Sequence, residues 1–245
     1  MLQKRLVELS NLSYKRDIVT FTDFLNLNEL NILHTTPKEM FPSRYETFGG
    51  YALAERQMVA FLPDALYYDY KYPMNVLEIR PLNRKFAGDL SHRDFLGAIL
   101  HLGIERSCVG DLIVEDNVCH AFVTETMADY ICEQLGKIRH TAVDVRKLED
   151  CDFQYKPNLM TLKGTVASVR LDSVMSVAFP MSRTRLTGLI EGGKVFVNGR
   201  LTVSNGCRLK EGDIISVRGF GKLVYQGILS ETKKGRQYIQ IGKYV

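Results

Sequence analysis

The sequence predicts an α+β protein of three consecutive domains, and three observations carry that prediction. Between residues 74 and 150 the hydrophobic period switches between two and 3.6 in the order β-α-β-β-α-β. Residues 170–222 read as two short helices followed by small strands. Charge is divided unevenly: residues 163–245 hold 14 Lys and Arg against 5 Asp and Glu, a net of +9, whereas residues 1–162 hold 18 against 23, a net of −5. The whole-chain net of +4 conceals this asymmetry, which fits a nucleic-acid module joined to a carrier of different role. The expected domains are a small N-terminal α+β domain over 1–73, a ferredoxin-like (RRM-like) domain over 74–150, and a C-terminal domain over 163–245 with two helices, a small sheet and a terminal β-hairpin.

Composition excludes several classes. The apolar fraction of 45% and charged fraction of 24% are ordinary for a globular chain. The opening stretch MLQKRLVELSNLSYKRD interleaves charge with its leucines and lacks the uncharged core of a secretion signal, and no window offers 18 apolar residues, so no membrane span is expected. Five cysteines (Cys108, Cys119, Cys132, Cys151, Cys207) are scattered without a C-x-x-C pair and read as thiols of a reducing, cytoplasmic compartment.

In the first piece, Leu2, Leu6, Leu9 and Leu12 share one stripe of a helix over 2–16. A second helix is expected over 23–33, capped by Thr22, with Phe24, Leu25, Leu30 and Leu33 apolar and Pro37 as its stop. Residues 43–48 and 57–62 read as extended around Gly49-Gly50, with 51–56 a short helix or irregular piece. The middle piece follows with a strand at 76–79, a helix over 92–102, strands at 109–115 and 118–124 around Asp116-Asn117, a helix over 126–138 and a strand at 141–145. RNA readers of this topology stack bases on exposed aromatics of the central strands, but here those strands offer only Phe122. Docking or scaffolding is therefore the expected role, with stacking on Phe122 the lesser alternative.

A polar linker over 149–157 precedes a strand at 162–168. Helices are expected at 171–179 and 183–190, broken at Pro180, with Ser182 as N-cap of the second and Gly192-Gly193 as its stop. Val195 and Val197 then alternate with polar neighbours up to an Asn198-Gly199 turn. Residues 225–229 and 237–241 flank Lys233-Lys234-Gly235-Arg236, read as a polar turn before a phosphate-reaching tip. The candidate RNA-binding residues are Ser182, Arg183 and Arg185 at the second helix start, Lys194, Asn198 and Arg200 around the following strand and turn, and Arg208, Lys210, Arg218 and Lys222 beyond. Cations that neutralise phosphates release counterions, so a compact basic face gives affinity for RNA.

The run SRTRLTGLIEGGKVFVNGRLTV followed by LKEGDIISVR resembles the S-four RNA-binding domain, with Ser182-Arg183, residues 193–199 and Gly212-Asp213 in register. Phe179-Pro180-Met181 between the helices departs from its usual pattern. That resemblance implies binding of structured RNA through the second helix start and the loop over 194–200. Together with FGGYALAERQMVAFLPD and LSHRDFLGAILHLGIERSCVGDLIV, the three-part chain resembles the YlmH-type family of bacterial proteins. The family implies a cytosolic RNA-binding protein associated with the large ribosomal subunit carrying peptidyl-tRNA, in rescue of stalled translation; from the residues alone, structured RNA is the partner.

Enzymatic readings are weaker. Arg170-Leu171-Asp172 matches the catalytic context of pseudouridine synthases, but it opens the first helix of the C-terminal domain, where Asp172 serves the helix dipole, and no synthase-sized domain remains. Neither Gly49-Gly50 nor Gly219-Phe220-Gly221 forms the strand-to-helix glycine turn of a methyltransferase. The five histidines lack ligand spacing, and no triad assembles around Ser182. No catalytic residue, cofactor or metal is expected. The rival reading is an adaptor that docks a protein partner through its acidic N-terminal two domains, with the RNA domain as a locator.

Overall fold

The computed structural model describes residues 1–52, 54–83, 88–149, 155 and 158–244. It is a mixed α/β chain that divides into two units, Met1–Tyr155 and Lys156–Val245. The expected linker over 149–157 falls almost wholly outside the described residues, as does Cys151.

The first unit opens with α1 (Leu2–Arg16), whose Leu6 and Leu9 are buried at helical spacing. It continues through β1 (Thr20–Phe21), α2 (Leu27–Thr35), β2 (Arg44–Phe48) and β3 (Met58–Leu62). The three strands form an antiparallel sheet in the order β1-β3-β2. The helix expected from residue 23 begins instead at Leu27. Asn26 Oδ1 accepts from the Asn28 and Glu29 N–H groups, and Glu29 Oε2 accepts from the Asn26 N–H at 2.7 Å, a reciprocal cap that outcompetes Thr22. Residues 22–25 are held extended, with the Thr22 and Leu25 amides donating to the Val59 and Gln57 carbonyls.

Next come β4 (Met74–Pro81), α3 (His92–His101), β5 (Val109–Glu115), β6 (Val118–Thr124), α4 (Glu125–Gln134), β7 (Lys137–Ile138) and β8 (Thr141–Leu148). Their sheet runs β5-β6-β4-β8-β7 with every pair antiparallel. The helix expected over 126–138 stops at Gln134, because Leu135 leaves helical geometry and Lys137–Ile138 pair with Thr141 and Ala142 in a hairpin. Leu77, Ile79, Ala121 and Val143 share a core with Phe95 and Ile99 of α3 and Ala128 and Ile131 of α4.

Phe122 alternates to the opposite face. It is 0% exposed and packs with Ile113, Phe24 and Met58. Glycine makes this closure possible: a Cβ on Gly110 would stand 2.7 Å from the Phe24 ring, and one on Gly50, at φ +96, would enter the Phe122 ring. Asp111 fastens the cover. Its Oδ2 accepts from Tyr51 Oη at 2.8 Å and the Glu55 N–H at 2.6 Å, its Oδ1 from the Arg56 N–H at 3.1 Å, while the Arg56 guanidinium donates to the carbonyls of Val109, Phe24 and Arg106. Base stacking on Phe122, the lesser alternative from sequence, is thus corrected: the ring has no free face.

The second unit comprises β9 (Leu159–Val166), α5 (Leu171–Ala178), α6 (Arg183–Glu191), β10 (Val195–Val197), β11 (Arg200–Leu201), β12 (Ile214–Val217), β13 (Gly221–Glu231) and β14 (Gln237–Tyr244). The sheet order is β11-β10-β12-β13-β14-β9. Leu171, Val174 and Met175 of α5 and Leu186 and Ile190 of α6 bury against Val195, Ile215, Leu223, Ile239 and Ile241. A latch fixes the turn after β10. Asn198, at φ +49, donates from Nδ2 to Asp213 Oδ1 at 2.8 Å and accepts the Ile214 N–H on Oδ1 at 2.9 Å, while Asp213 Oδ2 accepts the Lys210 N–H at 2.7 Å.

Phe122→Ala should destabilise the protein by about 3–5 kcal/mol in urea unfolding, the range for emptying a sealed aromatic site; a loss under about 1 kcal/mol would mean that the ring is not enclosed. Asn198→Gly, which keeps the left-handed backbone accessible and removes the latch, should cost about 1 kcal/mol, and Asn198→Ala about 2–3 kcal/mol because backbone strain is added.

Candidate nucleic-acid interface

The first turn of α6 is set by Ser182, whose backbone is extended and whose Oγ accepts the Arg185 N–H at 3.3 Å. Arg183 and Arg185 then leave the helix about 200° apart and meet different neighbours. Arg183 lines a cleft of about 190 Å³ with Arg170, Arg236 and the Asp172 carboxylate, and its wall includes the hydroxyl residues Ser173, Ser176 and Thr187. Arg236 is steadied there by an Nη2 donation to the Thr165 carbonyl at 3.3 Å. Arg185 turns the other way and stands 5.6 Å from the centroid of Phe220, in the turn between β12 and β13.

Around that turn the sheet gathers further cations. The Arg218 N–H donates to the Lys194 carbonyl at 2.9 Å, which brings the approach to β10 beside the end of β12. The Arg218 guanidinium lies 5.3 Å from the Phe196 ring, and Lys222 pairs with Ser216 at the same end of the ladder. Lys243 stands 5.3 Å from the Phe179 ring, which meets Phe220 edge-on at 6.4 Å. Asn198, Arg200 and Lys210 lie at the opposite end of β10, joined by the turn latch and the pairing of Val197 with Arg200. Three strand residues separate the two ends by roughly 10 Å. Arg208 bridges to Arg170 and lines a wider cleft of about 810 Å³ with Glu211 and Tyr225. Of the ten residues selected from sequence, Arg185, Lys194, Arg218 and Lys222 gather at one end of β10 and Asn198, Arg200 and Lys210 at the other, while Ser182, Arg183 and Arg208 lie off that strand.

Carboxylates do not cancel this charge. Among the described residues, none of Arg183, Arg185, Lys194, Arg200, Arg208, Lys210 and Arg218 has a carboxylate within 4.0 Å. Asp172 is held by Arg170 at 2.9 Å and by the Ser173 N–H at 2.8 Å. Partial burial pushes its carboxyl up, but the Arg170 and Ser173 bonds outweigh burial and keep it below the usual carboxylate range. Glu191 accepts from Asn205 at 2.8 Å, and Asp213 closes the turn latch.

Arg170, Arg236 and Lys243 were not among the residues selected from sequence. Arg236 lay in a noticed basic hairpin tip, but nothing in the linear order shows that the tip returns to α6. Arg170 reads in sequence only as the neighbour of Asp172, and Lys243 carries no local motif.

Residues 68–152 match the family model described as "Putative RNA-binding domain in YlmH". The chain is 29% identical over 220 residues to "Ribosome-associated protein quality control protein P2" of Bacillus subtilis (strain 168), a match that covers 88% of this chain and 83% of that protein. It shares the fold of the solved "Cell division protein ylmH from Streptococcus pneumoniae" with a TM-score of 0.51 at 18% identity, over 62% of this chain and 91% of that one. The family match over 68–152 and the relatedness along most of the sequence support a YlmH-type family for this chain.

Proposed function

We propose that the protein is a non-catalytic, cytoplasmic RNA-binding protein of the ribosome, and that its second unit is an S-four-type domain that grips structured RNA. The observation that carries this reading is the set of unneutralised guanidinium and ammonium groups at the α6 start and at both ends of β10. The small cleft carries Asp172 paired with Arg170, which leaves Arg183 and Arg236 as the guanidinium groups able to meet a phosphate there in charge-assisted pairs, beside its hydroxyl lining. The rings of Phe196, Phe220 and Phe179 orient three of the remaining cations without removing their charge. A divided basic surface suits a folded RNA, whose phosphates line both edges of a groove.

The ribosomal setting rests on the relative's name, which is that of a ribosome-associated quality-control protein. In the finer form of the proposal, the protein acts on the large subunit with peptidyl-tRNA when translation has stalled. The family description also supports an RNA contact for residues 68–152. We read that part as ferredoxin-like from its strand order, and as a domain distinct from residues 1–73. With Phe122 enclosed, contact there would fall to exposed side chains such as Arg80 and Arg146. No helix among the described residues is long and apolar enough to cross a membrane.

The test is pelleting of the full-length protein with large ribosomal subunits across a salt series. Arg183→Gln and Lys194→Gln should each weaken binding and lower the slope of log affinity against log salt by roughly one unit, and the double variant by roughly two. Slopes unchanged from the parent protein would overturn the assignment of these groups to phosphates.

A further inference from the structure

The first unit holds a cleft whose chemistry is the reverse of the basic surface. It has a volume of about 600 Å³ and lies where β4, β6 and β8 end together, beside Val76, Phe122 and Leu148. Its walls are aromatic. Phe48, 40% exposed, meets Tyr72 at 5.5 Å between ring centroids, and Tyr72 meets Tyr70 at 5.9 Å. Its polar groups are mostly acceptors. Among the described lining residues, Glu125 and Glu149 supply two carboxylates against the single ammonium of Lys71, and Tyr70 Oη donates to Glu46 Oε2 at 2.9 Å. Burial, aided by Glu46, pushes the Tyr70 and Tyr72 phenols up, so both rings stay neutral.

We propose that this cleft binds the guanidinium group of an arginine presented by a basic polypeptide segment, a docking role separate from RNA binding. An aromatic wall attracts a cation through its ring quadrupoles, and a planar guanidinium also stacks on it. An arginine offers five N–H donors in a fixed fork, which suits two carboxylates; an ammonium offers three donors and does not stack. Phosphate is disfavoured by the same carboxylates, so a nucleotide is the poorer occupant. The net charge of −5 over residues 1–162 would draw a basic segment toward this unit.

The test uses the full-length protein with fluorescein-labelled nona-arginine and nona-lysine peptides, read by fluorescence anisotropy at about 0.1 M salt, where distant charges are screened. Nona-arginine should bind more tightly than nona-lysine. The double variant Glu125→Gln/Glu149→Gln should bind nona-arginine about tenfold more weakly, and Phe48→Leu should weaken it several-fold. Glu39→Gln/Glu133→Gln, which removes the same charge from exposed sites elsewhere, should leave it unchanged. Equal affinity for the two peptides, or equal weakening by the two double variants, would overturn the proposal. So would a Glu125→Gln/Glu149→Gln protein that keeps its peptide affinity and loses large-subunit pelleting, since the cleft would then belong to RNA. Pelleting unchanged in that variant together with weakened peptide binding supports docking, whatever the outcome of the Arg183 and Lys194 salt series.

Discussion

In the second unit Asp172 pairs with Arg170, while Glu191 and Asp213 bond to neutral groups. Asp172 also holds the α5 start, Glu191 a loop amide and Asp213 a turn, so these carboxylates organise the backbone and leave Arg183, Arg185, Lys194, Arg200 and Arg218 unneutralised. Like charges so placed repel, and the apolar core between the two helices and the sheet must outweigh that repulsion. Their division between the two ends of β10 eases the cost, since roughly 10 Å exceeds the screening length of about 8 Å at physiological salt. The aromatic contacts contribute a different restraint: Arg185, Arg218 and Lys243 are held over rings, which limits their motion while preserving their charge. What results is a surface prepared for a polyanion before any polyanion arrives.

The first unit shows the opposite use of charge. Arg56 and Asp111 are bonded to each other's backbone surroundings in the middle of the fold, and each satisfies several polar groups that the covering segment would otherwise strand. Burial lowers the Arg56 pKa, and the Asp111 and Glu29 carboxylates work against that loss. This network holds Tyr51, Glu55 and Arg56 against the face of the five-stranded sheet that carries Phe122. Farther along the same face, Glu78 gathers Arg146 at 2.9 Å, Arg80 at 3.8 Å and His120 at 3.8 Å. One face therefore carries an enclosed aromatic, an acidic aromatic cleft and a mixed ionic cluster in succession.

Elements with a strong repeating pattern and a local stop were legible. The strands Val109–Glu115 and Val118–Thr124 lie at the residues expected, because Asp116 and Asn117 can both take the left-handed turn between them. The α6 cap at Ser182 was readable for the same kind of reason, a hydroxyl directly before an apolar repeat. Failures came where two local signals competed. Thr22 and Asn26 are both good caps, and only the reciprocal bond from Glu29 decides for Asn26. Strands of two residues, β1 and β7, are too short to show a period and exist because a neighbouring strand offers them partners.

The interface divides along the same line. Charge asymmetry, the two helix starts and the Asn198-Gly199 turn are properties of consecutive residues, so the sequence by itself determined that the basic module lies in the last third of the chain and which segment opens it. Only the tertiary structure decided that Arg236 returns to Arg183, that Arg185 and Arg218 sit over Phe220 and Phe196, and that Phe122 is closed off. Those facts depend on which strands pair and which glycines let backbones approach, and such contacts between residues far apart in the chain leave no periodic trace in its linear order.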